Sequence, residues 1–300
     1  MVKSFTLSVH ELVDFLLRTG DIDNRINNSA TMNEGTAIHA YYQAKQGNDY
    51  LAEYECRETF KVEDYEITLE GRADGIVDLG NSAIIEEIKS TIAPLDEYYK
   101  DNEAWHLGQA KCYALMYAHE KGYKSVKIKL TYYHQLDKSQ LVKTYEYLTS
   151  ELEKDIFNLL KDYISFFEII LENKIKRNAS AKEITFPFKT FREGQKDLAK
   201  YAYGIVKNGG ILFAEAPTGI GKTISTLYPS VKSFAETDND KIFYLTAKSS
   251  GKDMAFSASK MLIENGFKGS VIEILAKDKV CFSTGKACNP DECPFAKGYY

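Results

Sequence analysis

Apolar positions Val9, Leu12, Val13, Leu16 and Leu17 recur at helical spacing and stop at Thr19-Gly20-Asp21, which predicts an amphipathic helix from Leu7 to Leu17. A second helical stretch covers Gly35 to Gln46. Two strand-like runs follow, one from Tyr65 to Asp78 and one from Ser82 to Thr91, with Gly80-Asn81 turning the chain between them. Leu107, Ala110, Tyr113, Ala114 and Tyr117 mark a helix within Asn102 to Lys121, and Ser125 to Tyr133 reads as a strand. A long amphipathic helix from Ser150 to about Lys174 places Leu152, Ile156, Leu160, Tyr163, Phe167 and Ile170 on one face.

The rhythm changes near residue 180. Helices at Gln195 to Lys207, Thr223 to Ser233 and Ser249 to Asn265 alternate with strand-like runs at Ile211 to Ala214, Lys241 to Thr246 and Ser270 to Ile274. Strands alternating with helices imply a parallel α/β sheet. The chain is therefore expected to hold two α/β domains, 1–180 and 181–300, and its 300 residues with 44% hydrophobic content allow a core in each.

Composition adds little to that picture. The net charge of −5 divides unevenly, with the acidic excess in the first 180 residues and a modest basic excess after it. Such an excess is compatible with a polyanionic partner and equally with ordinary surface charge. The most apolar stretch, Ile164 to Leu171, is interrupted by Glu168, so no membrane span is expected. The start lacks a signal-peptide core, and a cytoplasmic location is expected. Cys56 and Cys112 are isolated, whereas Cys281, Cys288 and Cys293 crowd together, a spacing that favours a metal or cluster site over disulfides.

Two constellations carry chemistry. In the first half, Glu86-Glu87-Ile88-Lys89 ends a strand on which Glu87 and Lys89 share a face, and Asp74 lies on the preceding strand across the Gly80-Asn81 turn. Two carboxylates and an ammonium on one surface suit phosphodiester hydrolysis: hard oxygens hold Mg²⁺, and a lysine orients water or offsets developing charge. His39 could add a nitrogen ligand that favours Mn²⁺. Alone, an E-x-K on a strand is usually a solvated face and a helical histidine is usually structural.

Taken in order, Gly35-x(3)-His39, Gly71-x(2)-Asp74, Glu87-x-Lys89 and Gln109-x(3)-Tyr113 resemble the motifs of RecB-like nucleases of the PD-(D/E)XK superfamily over most of residues 1–180. Ala73 stands where the superfamily's name has proline. The resemblance implies a DNA-cleaving fold in which His39, Asp74 and Glu87 hold Mg²⁺ or Mn²⁺, Lys89 is the catalytic cation, and Gln109 and Tyr113 sit beside the metal on a helix.

In the second half, Ala216-Pro217-Thr218-Gly219-Ile220-Gly221-Lys222-Thr223 has the form of a phosphate-binding loop between a strand-like run and a helix, where backbone N–H groups converge on one anion. The A-x-T-G-x-G-K-T form resembles superfamily 1 and 2 helicases, which implies ATP with Mg²⁺, contacted by Thr218, Gly219, Gly221, Lys222 and Thr223. Phe191-Arg192-Glu193-Gly194-Gln195 resembles the helicase Q-motif, with Gln195 reading adenine, and Tyr244-Leu245-Thr246-Ala247-Lys248 resembles a DNA-phosphate-binding segment. A cysteine insertion beginning near residue 279 resembles the iron–sulfur segment of XPD/DinG-like helicases, in which four thiolates hold a [4Fe–4S] cluster; Cys281, Cys288 and Cys293 supply three. Zinc is the alternative metal.

The expectation is thus a PD-(D/E)XK nuclease-like α/β domain followed by a partial RecA-like P-loop parallel-sheet domain with the start of a Cys-rich iron–sulfur insertion. No Walker B segment or second motor domain follows, so the chain reads as the front of a longer DNA helicase, acting on single-stranded DNA in processing or repair and not turning over ATP by itself. Two alternatives stay open. The front domain could be an inactive nuclease fold that grips DNA for the motor, or the loop could belong to a P-loop enzyme of another reaction type.

Overall fold

The computed structural model describes residues 3–25, 37–47, 49–217, 219–247, 249–283 and 285–300. The chain forms two compact units, 1–165 together with 280–300, and 166–279.

The first unit is built on a six-stranded mixed sheet. Its strands are β1 (Lys3–Ser8), β2 (Tyr50–Val62), β3 (Tyr65–Asp78), β4 (Ala83–Thr91), β5 (Ser125–His134) and β6 (Gln140–Leu148). The order is β1-β3-β4-β5-β6, with β2 along the other edge of β3. Between them come helices α1 (Val9–Leu16), α2 (residues 37–43) and α3 (Leu95–Lys121), and α4 (Thr149–Glu183) follows the sheet.

The long strand β3 organises the unit. One edge carries β2 antiparallel from Tyr50↔Val77 to Val62↔Tyr65. The other edge is shared: β1 runs parallel along Tyr65 to Glu70, and β4 runs antiparallel along Gly75 to Asp78. Residues 71–74 fall between the two partners, so the sheet forks there. Beyond the fork β4 keeps a parallel neighbour in β5, from Ile84↔Lys127 to Thr91↔His134.

Local sequence explains the junctions. Ser8 caps α1 reciprocally with Glu11, its Oγ accepting from the Glu11 amide at 3.1 Å while the Glu11 carboxylate accepts from the Ser8 amide at 3.1 Å. Gly122 ends α3 in the left-handed region at φ 71°. Helix α3 packs on β4 and β5, its buried Ala110, Tyr113, Ala114 and Tyr117 lying on the side of the sheet that carries Ile85, Ile128 and Leu130.

The second unit comprises the last part of α4 with α5 (Gln195–Asn208), α6 (Lys222–Ser233), α7 (Ser249–Glu264) and the single turn α8 (Lys277–Val280), whose last residue falls in the first unit. Ala181, Ile184, Leu227, Val231, Phe234, Leu262 and Phe267 form its core. Phe234 and Phe267 stack in parallel, and the Arg177 guanidinium lies 4.0 Å over the Phe234 ring.

The parallel sheet expected beyond residue 180 is not formed among the described residues. Runs 211–217, 241–246 and 270–274 carry no strand pairing. Their apolar side chains face solvent, with Phe213 92%, Leu245 88% and Ile272 85% exposed. A strand gains its ladder only from a neighbour about 4.8 Å away, and these runs do not pair with one another.

Candidate active site and phosphate loop

The fork in the sheet positions the first constellation. Continuing the β3–β4 register one step beyond Gly75↔Glu86 sets Asp74 opposite Glu87. At that step the ladder gives way: Asp74 Oδ2 accepts the Ile88 amide at 2.7 Å in place of a strand carbonyl. The Asp74 backbone carbonyl accepts Gln43 Nε2 at 2.8 Å, which ties α2 to the same point, and His39 on that helix brings Nδ1 to 3.6 Å from Asp74 Oδ1. On β4, Glu87 Oε1 meets Lys89 Nζ at 2.5 Å, and Lys89 also donates to Gln109 Oε1 at 3.2 Å. Tyr113, one helical turn beyond Gln109, is fully buried against Gly71, where a Cβ would lie 2.8 Å from the Tyr113 hydroxyl. Five of the residues read from sequence, Asp74, Glu87, Lys89, Gln109 and His39, are thus linked, and Tyr113 shapes the floor.

Electrostatics divide the labour between the carboxylates. Burial alone would raise the Asp74 carboxyl, but His39, Lys89 and the Ile88 amide outweigh it and hold it below the ordinary range. Glu87, 1% exposed, is pushed up to about 8 by burial, with Asp74 adding to the rise and Lys89 opposing it. Burial works against the Lys89 ammonium as well, yet Glu87 and Asp74 keep it protonated.

Among the described residues no three His, Cys, Asp or Glu side chains are drawn together into a ready-made metal site. The donors nonetheless fit a divalent ion. Glu87 Oε2 is buried without a hydrogen-bond partner, a costly state for a carboxylate oxygen unless a cation serves it.

Several residues at this place were not singled out from sequence. Glu86 points to the opposite face of β4 and is buried, accepting from Thr131 Oγ1 at 2.5 Å and Tyr42 Oη at 3.0 Å, with Lys129 Nζ at 2.9 Å. Through Tyr42 it fastens α2 to the sheet. His10, in the first turn of α1, is lowered by burial and by the Lys89 charge, with Asp14 and Asp74 opposing. The doubled Glu86-Glu87 was the visible signal for the first; nothing local marks the second.

In the second unit the phosphate loop keeps its glycines in the left-handed region, Gly219 at φ 87° and Gly221 at φ 86°, and α6 begins at Lys222 with no side-chain cap, leaving its first N–H groups for another acceptor. Lys222 Nζ folds back on the loop, donating to the carbonyls of Ala216 at 2.7 Å and Pro217 at 2.9 Å. Thr223 is buried at the helix start, and Tyr244 Oη approaches its hydroxyl at 3.4 Å. Gln195 is buried beside Gly221; its Oε1 accepts the Arg192 amide at 2.9 Å, and Arg192 Nη1 donates to the Gly219 carbonyl. A cleft of about 280 Å³ opens there, lined by Phe188, Lys189, Arg192, Gln195 and Gly221 among others. Thr218 and Lys248 lie outside the described residues.

The cysteine cluster expected near residue 279 is not shown. Among the described residues Cys281, Cys288 and Cys293 form no ready-made metal-binding group, and Cys281 Sγ accepts the Ser283 amide at 3.4 Å. Segment 280–300 also belongs to the first unit: Ile22 N donates to Ala296 O at 2.8 Å, Asn24 N to Cys288 O at 3.0 Å, and Arg25 bridges Asp23 and Asp291. Backbone pairing to the 20–25 loop holds the segment, and within it Cys281 and Cys293 both meet Ser283.

A carboxylate pair with a half-buried lysine at the fork of a mixed α/β sheet defines a nuclease-like domain. The family model of the PD-(D/E)XK nuclease superfamily matches residues 18–196, and the chain belongs to that superfamily, whose members typically use Mg²⁺ or Mn²⁺. No curated protein matches the chain. A solved structure titled "Crystal structure of SSO0001" is similar at 18% identity and a TM-score of 0.34, over 54% of this chain and 75% of that one. No described helix is long and apolar enough to cross a membrane.

Proposed function

We propose that residues 1–180 form a metal-dependent DNA nuclease. The linked set Asp74, Glu87, Lys89 and Gln109 at the sheet fork carries this reading. Asp74, Glu87 and His39 would hold the divalent ion, which when bound supplies Lewis acidity to the phosphate and lowers the pKa of water. Lys89, kept protonated by its two carboxylates and aimed by Gln109, offsets the negative charge that develops as water attacks phosphorus and the P–O ester bond breaks. Its replacement tests the reading directly: with Mn²⁺ and labelled single-stranded DNA, Lys89→Ala is expected to lose about 10²- to 10³-fold in cleavage rate. Equal, negligible cleavage by both proteins would leave a DNA-gripping fold without chemistry.

Residues 181–300 carry a second reading, nucleotide binding by the front part of an XPD/DinG-like helicase motor, supported by the open start of α6, the left-handed glycines of the loop and the Gln195 cleft beside them. Lys222, now resting on loop carbonyls, would move onto the β/γ-phosphates of ATP, and Thr223 would meet its Mg²⁺. A fluorescent ATP analogue should bind the wild type at least tenfold tighter than Lys222→Ala; equal affinity would overturn this reading. An iron–sulfur cluster would require Cys281, Cys288 and Cys293 to regroup around it.

A further inference from the structure

Strands β4 and β5 run parallel, and their carboxyl ends open into a second cleft of about 480 Å³ in the first unit. Ile92, Pro94, Leu95 and Leu141 give it apolar walls, and Asp96 and Asp137 stand in its lining. The β5–β6 turn is braced from within: His134 Nδ1 meets Asp137 Oδ1 at 2.7 Å, and the same oxygen accepts from Ser139 Oγ at 2.6 Å and Ser139 N at 2.9 Å. His134 Nε2 lies 3.2 Å from the Ile92 carbonyl, which pins the turn to the connector leaving β4.

This cleft lies beyond the candidate active site along β4. Lys89 pairs in register with Tyr132, and Thr91 with His134. Three residues of strand, at about 3.3 Å each, carry β4 from Lys89 to Ile92, so the cleft begins roughly 10 Å beyond the lysine. That is at most about three nucleotides, since an unstacked strand extends further per nucleotide than the roughly 3.4 Å of a stacked one. Tyr98 bridges the interval: it lies within reach of the Lys89 charge, and its ring is 6.0 Å from that of Tyr132.

The lining selects the kind of ligand. No lysine or arginine lines the cleft, and Asp96 and Asp137 offset the pull that the start of α3 at Leu95 would exert on a phosphate. A flat, uncharged group with an apolar face and a donor edge is welcome, because the walls remove apolar surface from water while carboxylates accept hydrogen bonds. Resting on the nuclease reading of the first unit, we propose that this cleft is a nucleobase subsite that holds one unpaired base of the substrate strand, within about three nucleotides of the scissile phosphate, and favours bases with an exocyclic amino group over thymine. The backbone then lies across Lys89 while the base turns into the cleft.

Photocrosslinking tests this without requiring cleavage. An oligodeoxynucleotide carrying a single 5-iododeoxycytidine is irradiated with the full chain, both wild type and Lys89→Ala, across successive label positions. The expected adduct falls on peptides containing residues 92–96 or 134–141 at one label position, and drops at least fivefold in Asp96→Lys and in Asp137→Ala. In wild-type cleavage, an abasic residue at that position should raise KM about tenfold and leave kcat nearly unchanged, as loss of one stacked base implies. Adducts confined to other peptides, or cleavage indifferent to an abasic residue at every position, would overturn the subsite. Absence of wild-type cleavage alongside a cleft adduct would sink the nuclease reading and spare the subsite.

Discussion

The two units treat their extended segments in opposite ways. In the first, every strand has a partner, and the one stretch of β3 left between partners, residues 71–74, is where the candidate catalytic groups gather. In the second, three apolar runs stand unpaired and exposed around a helical core. Chemistry in the first unit depends on register: a one-residue slip of β4 would turn Glu87 and Lys89 away from Asp74. The phosphate binding proposed for the second would need only a glycine turn and the start of one helix, neither of which requires a sheet.

Hydrogen exchange can break this contrast most sharply. Amides of β4 and β5 should be protected more than about 10³-fold over those of 211–214, 241–246 and 270–274, because only the former are held in a ladder. Equal protection would mean that the second unit has a paired sheet in solution, as its alternating sequence pattern suggests.

That alternation shows how far sequence reaches. Helices α4 to α7 were legible because each carries a periodic apolar face, α3 because Leu107, Ala110, Tyr113, Ala114 and Tyr117 recur at helical spacing although its second half is buried on nearly all sides, and the 79–82 turn between β3 and β4 because of Gly80. Strand β1 was hidden by the helix pattern that Leu7 and Val9 begin, and Ser8 as N-cap was the sign overlooked. Strand β2 was obscured by its charge: Glu53, Glu55, Arg57 and Lys61 decorate an edge strand whose alternate side chains Cys56, Phe60 and Val62 are buried. Asp74, Glu87 and Lys89 were legible because spacing on paired strands is nearly a contact prediction. The anchoring of α2 by Glu86 was not, since Tyr42 and Lys129 are brought to it only by the completed sheet.

A smaller effect follows from Glu87. Its folded value of about 8 lies above the ordinary value near 4.5, so the metal-free folded state binds the extra proton. The associated stability is fully present below about pH 4.5 and is lost as pH rises through about 8. A divalent ion reverses the sign, because it binds the ionised carboxylate and gains affinity as the proton leaves. Thermal unfolding of the metal-free protein should therefore fall by roughly 3–6 °C between pH 5.5 and 8, and Mn²⁺ should restore it most at the upper end. Glu87→Gln should flatten both slopes; a metal effect that is independent of pH would show that Glu87 is not a ligand.

The smallest expected effect returns to the two glycine sites. At Gly71 an added Cβ would sit 2.8 Å from the Tyr113 hydroxyl and 2.9 Å from its ring, and Tyr113 is buried with little room to move. Gly71→Ala should cost about 1–3 kcal/mol by overpacking, and shift Tyr113 at the floor of the site. At Gly219 nothing lies within 4 Å, but φ is 87°, so alanine meets backbone strain and no clash. Gly219→Ala should cost about 1 kcal/mol and be felt in nucleotide affinity more than in unfolding. Tyr113→Phe separates crowding from chemistry: combined with Gly71→Ala it relieves the contact with the hydroxyl, so the double variant should regain part of the lost stability. If Gly71→Ala is neutral alone, the fork in the sheet is looser than its packing implies, and the contrast between a register-built site and a turn-built site loses its sharpest structural support.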